Sequence, residues 1–545
     1  MAKDPILTLL EHPWIASCTE EARKKIMGDE EFRKKVLEYK RMIQNNKPPK
    51  GQVFMNIGNE ILDIGFFELS RQAYSLSYRD NDSAAVLNNI AYTYTRENNL
   101  EKAIEYYKAA LAIKPEYERP INNIASDLIR LAIRYFDEDT PESLIKCEKL
   151  LYESLAYKPN HDWAFLNMGN VWERRGFTPK AVYWIEQAIE ANPGFAGARS
   201  NIAHLYFKIG QFAKSFENFE WRAKSESNPG RLARFTDRLY WDGKEDLDGK
   251  SILLHWEQGF GDMIQCVRYL FWFRKKYPTA NIVLETMEAL NPLFYQLQDP
   301  TGFTGEVDPE CIMPCVNEVL INKRQDYAER QFDFVYPVYS LPSLYYAQFE
   351  TIPVFERYLH LPPTKPSWVE MRESLRQKKK KIVALNWGGR PSHGNDRYRS
   401  AHLSALKALV ESPDLVDCQF VSMQMGEQRA QIKELGLEDR IIDLVDEIKD
   451  FCDATNIIAD LDYLISVDSA YLHLAGAIGT KAIAMIAKRS DYRWMLERTD
   501  NILYPSITLV RQKADLVWDD AERRQMINII RGKPQMSGLQ EKKKS

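Results

Sequence analysis

The feature that most constrains this chain is a periodicity. Small residues recur at Gly58, Ala91, Ala125, Gly169 and Ala203, with spacings of 33, 34, 44 and 34 residues. A period of this size signals stacked copies of one supersecondary unit, each burying its apolar face only against its neighbours. The longest gap is one period plus a ten-residue insertion, which we place within Arg134–Ser143. A second register agrees: Ala103, Ala181 and Ser215 each follow their small residue by 12 positions, and Pro115, Pro159 and Pro193 close three of the units. Two antiparallel helices cross closely only where side chains are small. Proline then ends the second helix because it has no N–H to donate.

The clearest unit, Trp163–Pro193, carries Gly169, Gly176, Ala181, Ala188 and Pro193 where the tetratricopeptide pattern wants small residues, a turn and a stop. Five units are expected over residues 51–228, the first and last less regular, as capping units should be. Residues 1–50 read as a helical, charged segment whose basic run is a solvated helix face. Such an array is a binding surface for a protein or peptide partner, not a chemistry. It leaves some 300 further residues to be explained.

At 545 residues the chain is too long for one ordinary domain. It is 28% charged, and no apolar run reaches the 18 residues that would suggest a membrane-spanning helix. The N-terminus shows no basic segment leading into an apolar one, so no secretory signal is expected and the cytoplasm is the expected location. A net charge of −4 does not favour bulk nucleic-acid binding. The seven cysteines, Cys18, Cys147, Cys266, Cys311, Cys315, Cys418 and Cys452, are scattered and odd in number, as suits a reducing compartment. Cys311 and Cys315 lack a second pair at metal-site spacing, so we expect no metal there.

After residue 228 the pattern changes to strands alternating with helices, the signature of an α/β region with a mainly parallel sheet. Strands are expected at Ser251–His255, Ile282–Glu285, Phe334–Val335, Ile382–Asn386, Cys418–Gln424, Tyr463–Val467 and Ala482–Ile486. The proline-rich stretch Leu361–Trp368 suggests two such units, 229–365 and 366–520, followed by a C-terminal helix and charged tail over 521–545. Two doubly wound units would place ligands at the C-terminal ends of their strands.

Four segments could carry chemistry there. After the first strand, Gly259 and Gly261 bracket a tight turn, and apolar spacing starts a helix near Asp262. Asp262 could be a helix cap or, held ionised by the helix dipole, a general base. Ile264 replaces the third glycine of a dinucleotide fingerprint, and no convincing acidic strand end follows, so that reading fails. In Leu464–Ile486 a buried strand ends at Asp468, and Asp468 or Ser469 caps a helix holding His473, which Gly479 ends. Free N–H groups at such an N-terminus suit a diphosphate, while Asp468 would repel it and prefers a hydroxyl or N–H partner. A lone histidine on an apolar helix can equally be core. In Ile382–Ser400 a strand runs into a glycine-rich loop with Arg390, His393, Asn395, Arg397 and Arg399, either a phosphate-binding loop or an exposed one. The fourth segment, Ser490–Asn501, is aromatic and charged. Asp246–Asp248 and Asp460–Asp462 fit a metal-binding DxD string, which we read as chance.

Taken together, Trp241–Leu270, Ser392–Ser400, Leu464–Ile483 and Asp491–Gln512 resemble one family. It is the bacterial and phage tetratricopeptide-repeat proteins carrying a GT-B glycosyltransferase domain, similar to the ADP-heptose:lipopolysaccharide heptosyltransferases. It is also distantly similar to the O-linked N-acetylglucosamine transferases. The resemblance implies a GT-B pair of Rossmann-like units behind an all-α superhelix. It also implies an inverting, metal-independent transfer of a sugar from a nucleotide-diphosphate donor. In that reading Asp262 is the base, Asp468, Ser469, His473, Arg390, Asn395 and Arg397 hold the donor, and Glu257, Gln258, Gly261, Gln424, Arg493 and Trp494 line the cleft. No metal or other cofactor is implied, and the acceptor is a protein, a glycan, a lipid or a modified DNA base. The chain departs from the family at Gly394, where a lysine is usual, at Tyr492, where tryptophan is usual, and at Tyr471, where alanine is common. Two other readings stand beside this one: a catalytically inactive scaffold, and a GT-B-shaped epimerase or phosphorylase.

Overall fold

Small residues at one register let helices pair closely, and five such pairs form among the described residues. They are α1 (Lys50–Asp63) with α2 (Phe67–Asp80), α3 (Ala84–Arg96) with α4 (Leu100–Ile113), and α5 (Glu118–Glu138) with α6 (Pro141–Tyr157). They continue with α7 (Asp162–Arg174) and α8 (Thr178–Ala191), then α9 (Ala196–Lys208) and α10 (Phe212–Phe219). The computed structural model describes residues 50–224, 239–321 and 330–533, except 64, 81, 82, 393 and 515, together with positions 34, 35, 38 and 41. The expected N-terminal segment, Cys18, His393 and the end of the tail lie outside the described residues. The chain divides into two compact units, residues 1–198 and 199–545.

In the first unit, a Cβ on Gly169 would sit 2.3 Å from Ile185 Cγ1, so only glycine admits this crossing of α7 and α8. Ala91 and Ala125, at the same register, are fully buried. The ten-residue insertion lengthens helices rather than forming a loop: α5 runs 21 residues and α6 17, against 13 and 14 in α3 and α4. Polar side chains stitch neighbouring repeats. Arg71 pairs with Glu97 at 2.6 Å, and Arg174 with Asp139 at 2.6 Å. Side-chain amides run from Asn123 to Asn88, from Asn88 to Asn89, and from Asn89 to Asn59.

The unit boundary falls inside α9, so most of the last helix pair groups with the α/β region. That region holds two parallel sheets. The first has the order β3-β2-β1-β4, from β1 (Ser251–His255), β2 (Asn281–Thr286), β3 (Glu318–Ile321) and β4 (Phe334–Pro337). The second has the order β10-β9-β8-β5-β6-β7. Its strands are β5 (Lys381–Asn386), β6 (Cys418–Ser422), β7 (Ile441–Asp443), β8 (Tyr463–Val467), β9 (Ala482–Ile486) and β10 (Ile507–Arg511). The expected strand Cys418–Gln424 stops at Ser422, and β3, β7 and β10 were not anticipated.

Strand alternation splits the core. Ile252 and Leu254 of β1 join Ile382 and Ala384 of β5 and Leu464 of β8 in one apolar cluster. Leu253, Val283 and Val335 pack on the opposite face of the first sheet, and Val383, Leu385 and Ile465 on that of the second. In each sheet the strand order reverses once, between β1 and β4 and between β5 and β8. Loops leaving the carboxyl ends of strands at such a point diverge and open a crevice.

Candidate functional site

β1 ends at His255, and the chain turns through Gln258, whose φ is +65°, into the helix α11 (Phe260–Cys266). Gly259 caps this helix, so it begins two residues before Asp262 rather than at it. Asp262 caps from inside: its Oδ2 accepts the Gly259 N–H at 2.8 Å. Its Oδ1 accepts from Arg493 Nη2 at 2.7 Å. One side chain therefore both caps the helix and pairs with Arg493, its two oxygens divided.

Across from α11 lies the helix after β8, α12 (Ala470–Ala477). Gly261 is the point of closest approach, since a Cβ there would stand 2.5 Å from His473 Cδ2. His473 is buried, with Nδ1 2.8 Å from the Tyr504 hydroxyl and Nε2 3.2 Å from Arg493 Nη1. Because the guanidinium can only donate, Nε2 is the acceptor and Nδ1 carries the proton. Burial first, then the charges of Arg493 and Arg268, hold His473 well below its ordinary pKa, so the ring is neutral. Tyr358, next to Tyr504, donates to the Ile264 carbonyl of α11 at 2.8 Å. The expectation that His473 donates directly to a phosphate is corrected: both ring nitrogens are engaged inside the protein, and the residue supports Arg493.

Arg493 joins the two sides. Its Nε donates to Asp491 at 2.8 Å, its Nη1 to His473 and its Nη2 to Asp262. Burial alone would weaken its hold on a proton, but Asp491 and Asp262 more than offset this and keep it cationic. Burial likewise pushes Asp491 upward, and the charge and hydrogen bonds of Arg493 more than reverse that. Asp468 has less compensation. Burial and the nearby Asp491 push its carboxyl up to about 6 against the opposing pull of Arg493, Trp494 and Arg399. Behind the site, Arg268 is almost fully buried with no carboxylate among its hydrogen-bond acceptors. It donates to the carbonyls of Gln265 and Leu503, and the rings of Tyr358 and Tyr504 lie 4.9 and 4.5 Å from its guanidinium carbon.

The other sequence-based candidates divide. Ser469 is the N-cap of α12, but its hydroxyl contacts Ser466 at 2.9 Å and Asn386 at 3.2 Å instead of capping the helix. Arg390, Asn395 and Arg397 lie exposed on the loop after β5. Asn395 caps the short helix Asp396–Arg399, and the Arg397 guanidinium lies 4.6 Å from the Tyr398 ring. The loop's Arg399, not among the chosen donor residues, instead reaches the Asp468 carbonyl at 3.4 Å and packs where a Cβ on Gly389 would be. Two cleft-lining expectations are corrected. Glu257 is buried in an ion pair with Arg222 at 2.8 Å, because a buried charge needs a partner. Gln424 is buried too, its Oε1 accepting the N–H groups of Trp387 and Gly388 at 2.9 and 2.7 Å, so it fastens the loop after β5. Trp494 is buried with its ring 5.8 Å from that of His473.

The last repeat also touches this site. The Tyr492 ring lies 4.7 Å from His204 and 5.1 Å from Phe207, both on α9, and its hydroxyl meets that of Tyr339 at 2.6 Å. Sequence reading missed this contact, which joins residues nearly 300 positions apart. Among the described residues no group of three or more His, Cys, Asp or Glu side chains is placed to hold a metal. Asp460 and Asp462 are instead bound by Arg372 and Arg376.

A family profile described as the tetratricopeptide repeat matches residues 84–117. The N-terminal region is a tetratricopeptide-repeat array. The chain is 24% identical over 494 residues to Protein FlbA of Caulobacter vibrioides, covering 87% of this chain and 77% of that one. It is 25% identical over 197 residues to Lipopolysaccharide assembly protein B of Haemophilus influenzae, covering 36% of this chain and about half (47%) of that protein. Among solved structures, MamA from Desulfovibrio magneticus aligns at 13% identity and a TM-score of 0.26, over 33% of this chain and 98% of its own. A tetratricopeptide repeat protein from Parabacteroides merdae aligns at 19% identity and 0.27, over 38% and 78%. No helix among the described residues is long and apolar enough to cross a membrane.

Proposed function

We propose that the α/β region is an inverting, metal-independent glycosyltransferase of GT-B type that takes a nucleotide-diphosphate sugar, and that the repeats recruit its acceptor. The observation that carries this reading is convergence. Asp262, His473, Asp468 and Arg493 come from segments far apart in the chain, yet they meet where loops leave the carboxyl ends of β1, β8 and β9. In this reading residues 229–365 form the acceptor side and 366–520 the donor side. Asp262 Oδ1 takes the acceptor's proton, and arginines rather than a metal meet the leaving diphosphate. The relative named for lipopolysaccharide assembly lends weight to a glycan or glycolipid acceptor. The amides of Asn59, Asn89 and Asn123, able both to donate and to accept, suit the main chain of an extended peptide.

The test is a thermal-shift panel of ADP-, GDP-, UDP-, CMP- and dTDP-linked sugars, followed by the anomeric configuration of the product. Binding at 100 times Kd should stabilise by about 2.7 kcal/mol. One nucleotide class shifting the protein, with an inverted product, supports the proposal. No shift with any donor sinks it. A second reading, an inactive scaffold, is favoured by one fact: both oxygens of Asp262 are engaged within the protein. In that case the donors would leave the melting temperature unchanged while a repeat-binding partner raised it.

A further inference from the structure

Inverting transfer imposes a geometry. The acceptor oxygen bonds to the anomeric carbon on one side while the bond to the diphosphate oxygen breaks on the other. The base and the cation that meets the diphosphate therefore stand on opposite sides of the sugar. Here the base and a buried arginine are in contact, with Asp262 Oδ1 2.7 Å from Arg493 Nη2. The two must part before a sugar can lie between them.

From the way each bond is made, we infer that Arg493 is a shared cation, held by Asp262 in this structure and surrendered to the diphosphate of the incoming donor, so that donor binding is what unmasks the base. The inference rests on the transferase reading and adds the order of events to it. Asp491 is the tighter partner, because its Oδ1 takes both the side-chain Nε and the backbone N–H of Arg493, at 2.8 and 3.2 Å. Asp262 contributes a single contact from the other sheet and keeps its second oxygen on Gly259 N–H whether or not Arg493 stays. Losing Arg493 therefore frees one carboxylate oxygen while the other remains anchored, which is an aimed base. His473 is neutral and held by Tyr504, so it supplies a fixed acceptor on which the guanidinium can pivot. Three of the five guanidinium N–H groups are engaged in these contacts, and two remain for an anion. Arg268, buried behind the site without a carboxylate, adds positive potential.

The step then balances. The acceptor O–H proton passes to Asp262 Oδ1, the acceptor oxygen bonds to the anomeric carbon, and the diphosphate leaves with the electron pair of the broken bond, onto Arg493. Donor must bind before acceptor.

The test titrates inorganic pyrophosphate into the full-length protein by calorimetry. If Asp262 competes for Arg493, Asp262→Asn binds pyrophosphate about tenfold tighter than wild type, since the rival carboxylate is gone. Arg493→Gln loses binding, and Arg493→Lys, which keeps the charge should the glutamine variant fail to fold, weakens it about tenfold. Equal or weaker binding by Asp262→Asn, or unchanged binding by both Arg493 variants, overturns the inference. Tighter binding by Asp262→Asn, with no turnover of any nucleotide sugar by the wild-type protein, would sink the transferase reading and leave the shared cation standing. Turnover with no competition would do the reverse.

Discussion

The repeat array and the α/β site are held together by opposite means. In the array the decisive contacts are apolar and local: Gly169 admits Ile185, sixteen residues on, and each helix pair needs only its neighbour. In the site they are charged and distant: Asp262 and Arg493 are 231 residues apart, and Arg268 reaches the Leu503 carbonyl 235 residues away. Damage to the array should therefore stay where it is made, whereas damage to the site should spread to both sheets.

The largest effect is expected at Arg493. Arg493→Ala leaves Asp262 and Asp491 without their common cation, and chemical denaturation should show a loss of about 3–5 kcal/mol. A double variant, Asp262→Leu with Arg493→Leu, should recover part of that loss, because one of the two carboxylates left without a cation is then removed while Asp491 still lacks its partner. If the single and double variants lose equally, the site is held by packing and the contrast with the array fails. Next comes Gly169→Val, which overpacks α7 on α8. It should cost about 1–3 kcal/mol in the same measurement while leaving pyrophosphate affinity unchanged.

Acidification should cost less. Burial, the largest cause for each, depresses both His204 and His473 in the folded protein, while in the unfolded chain they titrate near 6.5. Below that pH the unfolded state binds the extra protons, so stability is full above about 6.5 and falls as pH drops, by about 0.5–1 kcal/mol per histidine between pH 7 and 6. Asp468, pushed up to about 6, works the other way. It binds its proton more readily when folded, so it offsets part of the loss between about pH 6 and 4. Denaturation midpoints at pH 7, 6 and 5 for wild type and His473→Gln should show a gentler slope for the variant between 7 and 6. The smallest effect is expected for Gly394→Lys. No atom lies within 4 Å of the added Cβ, so stability should change by no more than about 0.5 kcal/mol. A calorimetric gain in pyrophosphate affinity from that added cation would support the proposed donor side.

The same division governed what the sequence disclosed. Local regularities were legible, from the small-residue register of the repeats to apolar strands such as β5, β8 and β9. The three unanticipated strands all lie at sheet edges: β3 borders the first sheet, and β10 and the three-residue β7 border the second. An edge strand needs no continuous apolar run, because one side faces no neighbour. At the site, motif spacing found Asp262, Asp468 and His473. The same spacing ranks Arg493 only among the lining residues and points to Arg390 and Arg397 for the donor. Three arginines in one loop look alike in sequence. Only tertiary placement shows that Arg397 lies exposed against the neighbouring Tyr398 ring, while Arg399 reaches the end of β8. Glu257 and Gln424 were misjudged for a related reason: a polar residue beside a crevice is as useful for fastening its wall as for facing its contents.

The packing of Tyr492 between His204 and Phe207 has a practical side. The segment that delivers Arg493 leans on α9, so the fifth helix pair is structural furniture of the α/β region as well as a copy of the repeat. A chimaera that exchanges the repeats for another set should be spliced ahead of Ala196. A junction at the apparent end of the array, after Lys224, would carry a foreign helix to Tyr492 and strip the site of its backing. The repeats that can vary freely in such hybrids are the first four.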